Sequence, residues 1–261
     1  MAQAISRLCV SRTSYIVIPA RLASTRLPRK LLLRETGKSL IQHTYEAAQK
    51  ARRPKEICVA TDHEEIAREV EAFGGRAVMT DPNAASGTDR VAEVARRLED
   101  ADILVNVQGD EPELSGESID KVVALLEEDS DVAMATLATP IRCREQLEDP
   151  ACVKVVFDGN NRAMYFSRSP IPHPRQWNDD LLSSDPPSFY QHVGLYAYRR
   201  NFLVQLASMR PSQLEGIENL EQLRVLEAGY SIKVGVVDEP TVGIDTVDDY
   251  RAFVSRCRNC A

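Results

Sequence analysis

The stretch that decides the fold is Tyr15-Ile16-Val17-Ile18-Pro19-Ala20-Arg21-Leu22-Ala23-Ser24-Thr25-Arg26-Leu27-Pro28-Arg29-Lys30. Its apolar, β-branched beginning predicts a strand over residues 15–19 that ends at the proline. The residues that follow that strand include four cationic side chains and two hydroxyl side chains. In layered α/β sheets, ligands bind beyond the carboxyl ends of the strands, so this loop is a candidate clamp for an anion. Charge alone equally permits a solvated basic loop.

Further along the chain, short apolar runs alternate with amphipathic segments, which predicts a layered α/β fold with a mostly parallel central sheet. The predicted strands cover residues 15–19, 57–61, 76–79, 103–107, 132–137, 153–157, 163–166, 193–198 and 232–237. The predicted helices cover 40–51, 62–73 with Asp62 as its cap, 86–98, 119–127, 202–209, 217–226 and the segment from 246. A proline-rich loop is predicted over 169–187, and loops of that length are usually functional or mobile.

The predicted organisation is one domain with two lobes behind an extension at residues 1–14. Residues 15–140 and 215–261 form the larger binding lobe, and residues 141–214 form a smaller substrate lobe. The net charge of −7 argues against a nucleic-acid surface, because that role needs a basic face. No apolar run approaches the ~18 residues of a membrane span.

The six cysteines are scattered along the chain, which indicates reduced thiols and a cytoplasmic protein. The spacing Cys257-x-x-Cys260 could belong to a metal site. A zinc site needs about four ligands, however, and no second pair follows. We therefore interpret this terminal pair as incidental.

Two acidic positions are candidate metal ligands. Asp110 follows the predicted buried strand in Gln108-Gly109-Asp110-Glu111, where carboxylate oxygens suit Mg²⁺, although the segment could be only a turn. Asp245 precedes the last helix and either caps it or delivers a carboxylate to the metal. No role is assigned to Glu111.

Three further segments carry polar side chains that suit a small ligand. Ser86-Gly87-Thr88-Asp89-Arg90 resembles a helix capping box, a purely structural explanation. Arg168 stands at the mouth of the long loop and could take a carboxylate in a bidentate fork. Strand alternation places His192, Gly194, Tyr196 and Tyr198 on one face, which is either a sugar-binding wall or an exposed sheet face. Glu221 is predicted to be partly buried, with Ile217 and Val225 one helical turn away on either side.

These segments together resemble, in the same order and from residue 16 to residue 249, the sugar-activating nucleotidyltransferases. The first loop is most similar to that of the 3-deoxy-manno-octulosonate (Kdo) cytidylyltransferases. The family resemblance implies that Arg21, Arg26 and Lys30 contact the nucleotide phosphates and, with Asp110, serve catalysis. It implies that Asp110 and Asp245 hold Mg²⁺. It also implies a nucleotide site at Ser86, Gly87, Thr88 and Gln108, and a sugar site at Gln108, Arg168, His192, Tyr196 and Glu221.

The implied activity is transfer of CMP from CTP to the anomeric hydroxyl of Kdo with release of pyrophosphate, for lipopolysaccharide-type glycans. The resemblance also implies a homodimer, without nucleic-acid or membrane partners. No side chain stands out as a general base. One departure is Arg29, where the family usually has glycine. Another acidic sugar, such as sialic acid or an amino variant of Kdo, and an inactive nucleotide-binding protein stay open as alternatives.

Overall fold

A computed structural model describes residues 13–24, 26–238 and 242–259, and within them nine strands form a single sheet. The neighbouring strands along the main path follow the order β3-β2-β1-β4-β8-β5-β9. The strands are β1 (Ser14–Ala20), β2 (Glu56–Thr61), β3 (Ala77–Met79), β4 (Ile103–Asn106), β5 (Met134–Pro140), β6 (Lys154–Phe157), β7 (Ala163–Ser167), β8 (Tyr190–Arg199) and β9 (Ile232–Val236).

The prediction of a mostly parallel central sheet is confirmed. Along the main path, β1 pairs in parallel with β2 and with β4, β2 with β3, and β5 with β9. The exception is β8, which lies antiparallel between β4 and β5. The antiparallel pair β6 and β7 attaches at the side of this path through β8.

Helices cover both faces of the sheet. They are α1 (Leu40–Ala48), α2 (Glu64–Ala72), α3 (Gly87–Arg97), α4 (Gly116–Glu128), α5 (Arg144–Glu148), α6 (Asp180–Ser183), α7 (Arg200–Leu206), α8 (Gln213–Glu218), α9 (Gln222–Glu227) and α10 (Val247–Asn259). Residues of β1 alternate between two cores: Ile16 and Ile18 pack with α1, α4 and α10, whereas Tyr15 and Val17 pack with α3, α7 and α9. A strand buried on both faces explains the continuous apolar run that predicted it.

Two of the predicted local features are wrong, and a third needs one addition. The helix expected over 217–226 breaks at Asn219, whose backbone is left-handed (φ 52°), into α8 and α9. The cap of α2 is His63, which accepts from the Glu65 amide, while Asp62 pairs with Arg90. The loop expected over 169–187 contains the short helix α6.

The predicted boundary of the smaller lobe also needs correction. Residues 141–214 include β8 and α7, yet β8 is a central strand and α7 packs in one of the two main cores. Sequence periodicity identifies a strand but not its partners, so the insertion of β8 into the sheet was not predicted. The extension predicted at residues 1–14 lies almost wholly outside the described residues, as do Cys9 and Cys260.

The described cysteines, Cys58, Cys143, Cys152 and Cys257, carry free thiols. Within the described ranges, no helix combines the length and the apolar character needed to cross a membrane.

We expect Gly116→Ala to lower the free energy of unfolding by about 1–3 kcal/mol. A Cβ at this first position of α4 would lie 2.7 Å from the Lys50 carbonyl carbon and 2.8 Å from the Ala51 nitrogen, and backbone atoms there cannot move aside cheaply. Urea unfolding followed by circular dichroism measures the change. Gly216→Ala in α8 is the matched control, because its Cβ would meet nothing within 4 Å. Equal stability of the two variants would contradict this packing argument.

Candidate active site

Lys30 is the centre of the site. The loop after β1 ends in a 3₁₀ turn at Lys30–Leu32, which directs the Lys30 side chain under the carboxyl ends of the strands. Its ammonium donates to the Asp110 carboxylate, to Asp245 Oδ1 at 3.0 Å and to the Ile244 carbonyl at 3.1 Å. Burial by itself lowers the pKa of Lys30, but the two carboxylates outweigh it and raise the pKa above its ordinary value. The lysine is therefore a fixed positive charge at neutral pH.

Two acidic side chains from distant parts of the chain meet at this ammonium. Asp110 follows β4, and Gly109 before it allows a close approach to β1, because a Cβ there would lie 3.1 Å from the Pro19 carbonyl oxygen. The Ile244 amide donates to the Asp110 carbonyl at 2.9 Å, which ties the segment before α10 to the end of β4. Asp245 additionally pairs with Arg26 at 2.9 Å.

The alternative role of Asp245 as a helix cap is wrong. Thr246 Oγ1 accepts from the Asp249 amide at 3.1 Å, and Asp249 Oδ2 accepts from the Thr246 amide at 2.8 Å. Thr246 and Asp249 thus make a reciprocal cap at the start of α10. The Asp245 carboxylate is left for Lys30 and Arg26.

The donors around Lys30 fit a magnesium ion that is shared with a ligand. Within the described ranges no three histidine, cysteine or acidic side chains come close enough to form a metal cage. Two carboxylates that converge on one cation are nevertheless the usual protein contribution to Mg²⁺, which takes its remaining oxygens from phosphates and water.

A groove of three connected cavities runs past this centre. The central cleft, of about 670 Å³, lies between the loop after β1, the end of β4 and the start of α3. The inner cavity, of about 400 Å³, lies against β8. The outer cavity, of about 600 Å³, lies between the β1 loop and Arg90.

Nearly all of the predicted site residues line this groove. The central cleft contains Arg21, Arg26, Lys30, Ser86, Gly87, Gln108, Asp110, Glu221 and Asp245. The inner cavity contains Gly87, Thr88, Gln108, His192, Tyr196 and Glu221. Gly87, Gln108 and Glu221 belong to both, so they mark the junction between cleft and cavity.

The start of α3 forms one side of this junction. The predicted capping box is confirmed: the Ser86 hydroxyl accepts from the Asp89 amide at 3.2 Å, and Asp89 Oδ2 accepts from the Ser86 amide at 2.9 Å. With its own caps in place, this helix start presents Gly87 and Thr88 to the groove. Thr88 Oγ1 donates to Glu221 Oε2 at 2.7 Å and thereby connects α3 to α9.

The wall of the inner cavity is the face of β8 that carries His192, Gly194, Tyr196 and Tyr198, as the alternation predicted. The alternative of an exposed sheet face is wrong, because His192 and Tyr198 are buried. His192 Nε2 lies 3.0 Å from Thr136 Oγ1. Burial lowers the pKa of His192 to about 3 and raises the pKa of both tyrosines, so the wall is polar and uncharged at neutral pH.

Arg168 is the predicted site residue that the structure places elsewhere. Its guanidinium donates to the backbone carbonyls of Glu218 at 2.7 Å and Pro150 at 3.0 Å, and the Arg168 amide donates to Glu218 Oε2 at 3.0 Å. These bonds hold the end of β7 against the end of α8. Arg168 thus borders the helix break at Asn219, and Asn219 lines the inner cavity.

The prediction that Glu221 is partly buried within a helix is wrong. Because α8 and α9 are separate helices, Glu221 lies at the start of α9, and its side chain is exposed to the groove. Ile217, expected to cover it, is 71% exposed. The sequence correctly predicted only that the Glu221 carboxylate needs a hydrogen-bond partner, and Thr88 Oγ1 is that partner.

Sequence reasoning also missed two residues that line the groove. Asn106, at the end of β4, lines the inner cavity. Arg90, which is 1% exposed and pairs with Asp62 at 3.0 Å, lines the outer cavity. Arg90 could have been identified from the sequence, since it ends the Ser-Gly-Thr-acid-Arg segment. No pattern in the sequence identifies Asn106 apart from its place in a buried strand.

Comparison with known proteins identifies the family. A family model described as cytidylyltransferase matches residues 15–233. A 3-deoxy-manno-octulosonate cytidylyltransferase from Rhodopirellula baltica is 53% identical over 242 residues, 92% of this chain and 97% of that protein. The chain belongs to the 3-deoxy-manno-octulosonate cytidylyltransferase family. The protein of the same description from Geotalea uraniireducens is 50% identical, over 93% of this chain and 98% of its own length.

Solved structures agree with membership of the 3-deoxy-manno-octulosonate cytidylyltransferase family. The structure of CMP:2-keto-3-deoxy-manno-octonic acid synthetase complexed with CTP matches with a TM-score of 0.88 and 38% identity, covering 95% of this chain and 100% of that one. A 4-diphosphocytidyl-2C-methyl-D-erythritol synthase from Anaerococcus prevotii matches with a TM-score of 0.61 at 14% identity, which shows a shared fold alone. The resemblance stated from the sequence is confirmed.

The buried His192 makes stability depend on pH in a predictable direction. Its pKa is about 3 in the folded chain and ordinarily 6.5, so between those values the unfolded state binds the extra proton. The His192 contribution is thus complete above pH 6.5 and declines, by about 1.4 kcal/mol per pH unit, as the pH falls toward 3. We expect His192→Gln to remove this part of the slope in urea unfolding between pH 7 and pH 5.

His173→Gln, at an exposed position, is the matched control for this prediction. A His192→Gln variant that loses stability with falling pH as steeply as the wild type and the control would contradict a buried neutral imidazole.

Proposed function

We propose that this protein transfers CMP from CTP to the anomeric hydroxyl of Kdo, producing CMP-Kdo and pyrophosphate. The observation that carries the proposal is the junction between two differently charged compartments. A cleft with Arg21, Arg26 and Lys30 suits a triphosphate, and it opens directly into a cavity whose β8 wall is polar and uncharged and suits a polyhydroxy sugar. Family membership and the CTP complex of the structural relative support the same assignment.

In the proposed complex the triphosphate lies in the central cleft and the reacting α-phosphorus lies near the junction. Guanidinium groups of Arg21 and Arg26 bind phosphate oxygens in forks, and the Lys30 ammonium neutralises charge as pyrophosphate departs. The start of α3, at Ser86 and Gly87, borders the nucleoside. Little covalent work falls to the protein, so positioning and charge stabilisation dominate.

The sugar lies in the inner cavity. His192 is a neutral imidazole that exchanges hydrogen bonds with hydroxyls, and Tyr196 contributes a protonated phenol. Gln108 at the junction is placed to contact both substrates. The proposed role of Arg168 as a ligand of the sugar carboxylate requires its guanidinium to leave the carbonyls of Glu218 and Pro150.

Asp110 and Asp245 are the residues that would hold Mg²⁺. When bound, this ion would neutralise phosphate charge as a Lewis acid and lower the pKa of the attacking hydroxyl. Both aspartates contact Lys30 in this structure, so the Lys30 ammonium would share them with the ion and could also pair with the phosphates.

We further propose a homodimer, a cytoplasmic location and a role in lipopolysaccharide-type glycan synthesis. The free thiols of the described cysteines favour a reducing compartment. Nucleic-acid and membrane partners are not part of the proposal, and the acidic balance of the chain supports that omission.

A pyrophosphate-release assay with CTP, Mg²⁺ and a panel of acidic sugars tests the function. We expect Kdo to give the highest kcat/KM, and omission of Mg²⁺ or its chelation to abolish turnover. A signal with sialic acid or an amino variant of Kdo but not with Kdo itself would overturn the proposed substrate. Binding of CTP without pyrophosphate release from any sugar would identify an inactive nucleotide-binding protein.

Replacement of Asp110 tests the metal assignment. We expect Asp110→Asn to lower kcat at least 100-fold, because a preorganised charge at the reacting phosphate is typically worth 10²–10³ in rate, while circular dichroism stays unchanged. Raising the Mg²⁺ concentration should restore part of the activity. Glu113→Gln is the matched control, since Glu113 pairs with Arg256 outside the groove. An Asp110→Asn enzyme with wild-type turnover and wild-type dependence on Mg²⁺ would exclude the metal role.

A further inference from the structure

The junction between the central cleft and the inner cavity is formed by Gly87, Gln108 and Glu221. In the proposed function, the sugar hydroxyl that attacks the α-phosphorus has to cross this junction, because each substrate occupies one side of it. The attacking oxygen carries a proton that must leave as the new bond forms. A group that takes this proton has to lie where the two compartments meet.

Of the three junction residues, only Glu221 carries a side chain that can accept a proton. Gly87 has no side chain, and the amide of Gln108 stays neutral. Glu221 is also the only carboxylate among the described residues that line the inner cavity. His192, the other potential base there, has its pKa lowered by burial to about 3, which makes it a weak proton acceptor at neutral pH.

The fold also orients the Glu221 carboxylate. The break between α8 and α9, with Asn219 in a left-handed conformation, ends one helix before Glu221 and starts the next one after it. Thr88 Oγ1 then holds Glu221 Oε2 at 2.7 Å. Within the described part of the chain, Oε1 accepts no hydrogen bond. One oxygen is therefore fixed by α3 and the other is left for a ligand.

The ionisable groups that face Glu221 from α9 and β8 are paired or neutral. Arg224, one turn further along α9, donates to Glu215 Oε2 at 2.7 Å. Tyr196 and Tyr198 face Glu221 from β8, and burial raises the pKa of both phenols, so they stay neutral. Thr88 contributes a neutral hydroxyl from α3. Arg224 acts on Glu221 through its charge, and Arg21, Arg26 and Lys30 line the central cleft that Glu221 also borders.

We propose that Glu221 is the general base of the transfer reaction, an inference that rests on the proposed function. As the anomeric oxygen of the sugar forms its bond to the α-phosphorus, its proton moves to Glu221 Oε1. The bond from the α-phosphorus to the bridging oxygen breaks, and its electron pair leaves on pyrophosphate. After CMP-sugar release the protonated carboxyl returns its proton to water.

Steady-state kinetics of Glu221→Gln and Glu221→Asp test the role. Glutamine keeps the shape and the contact with Thr88 but accepts no proton, so we expect kcat to fall about 100-fold or more while the KM for CTP changes little. Aspartate keeps a base at a greater distance and should retain a larger share of kcat than glutamine. The pH profile of kcat/KM should differ between the wild type and Glu221→Gln, because only the wild type carries this base. Glu227→Gln, on the same helix, is the control.

Two outcomes would overturn the base assignment while leaving the proposed function intact. One is a Glu221→Gln enzyme with wild-type kcat and an unchanged pH profile. The other is a change confined to the KM for the sugar, which would make Glu221 a binding residue only. Failure of the wild-type enzyme to release pyrophosphate from CTP and Kdo would instead overturn the proposed function, and this inference with it.

Discussion

The site depends on one charge arrangement, in which a single ammonium compensates two carboxylates. Lys30 is 14% exposed, and its partners Asp110 and Asp245 are 24% and 43% exposed. Without a cation between them, two partly buried carboxylates would repel each other. Lys30 therefore places one positive charge against both acids.

The sheet topology makes this convergence possible. Because β1 and β4 are parallel neighbours, with Val17 opposite Asn106, the loops that follow them meet at one edge. The antiparallel strand β8 forms the wall of the inner cavity. Its register places Tyr196 opposite Asn106, so the residues before Tyr196 extend past the end of β4, beyond the nucleotide loops. One antiparallel strand in a parallel sheet thus forms the wall of the inner cavity next to the central cleft.

Local patterns in the sequence were sufficient to predict the strands, the capping box at Ser86 and the shared face of β8. The resemblance to a known family anticipated most of the residues that line the groove. Features that depend on long-range packing were not predictable. The partners of β8 are set by two cores formed from the whole chain, and the left-handed Asn219 breaks an apparently continuous helix. Arg168 satisfies backbone carbonyls of Glu218 and Pro150, which no local pattern identifies.

Arg29 shows how a departure from the family pattern is accommodated. Its backbone is left-handed (φ 56°), a conformation that costs a residue with a Cβ about 1–2 kcal/mol and that glycine adopts freely. The guanidinium pairs with Glu65 of α2, so the long side chain is directed toward that helix, and it lines the outer cavity but not the central cleft. Both ends of this pair are about half exposed, which limits its contribution to a fraction of that cost. The substitution therefore strains the loop modestly while leaving the space around Lys30 open. Arg29 therefore gives no structural support to the alternative of an inactive nucleotide-binding protein. Its side chain distinguishes this loop from the family pattern, but it is directed toward Glu65 and does not line the cleft that contains Asp110 and Asp245.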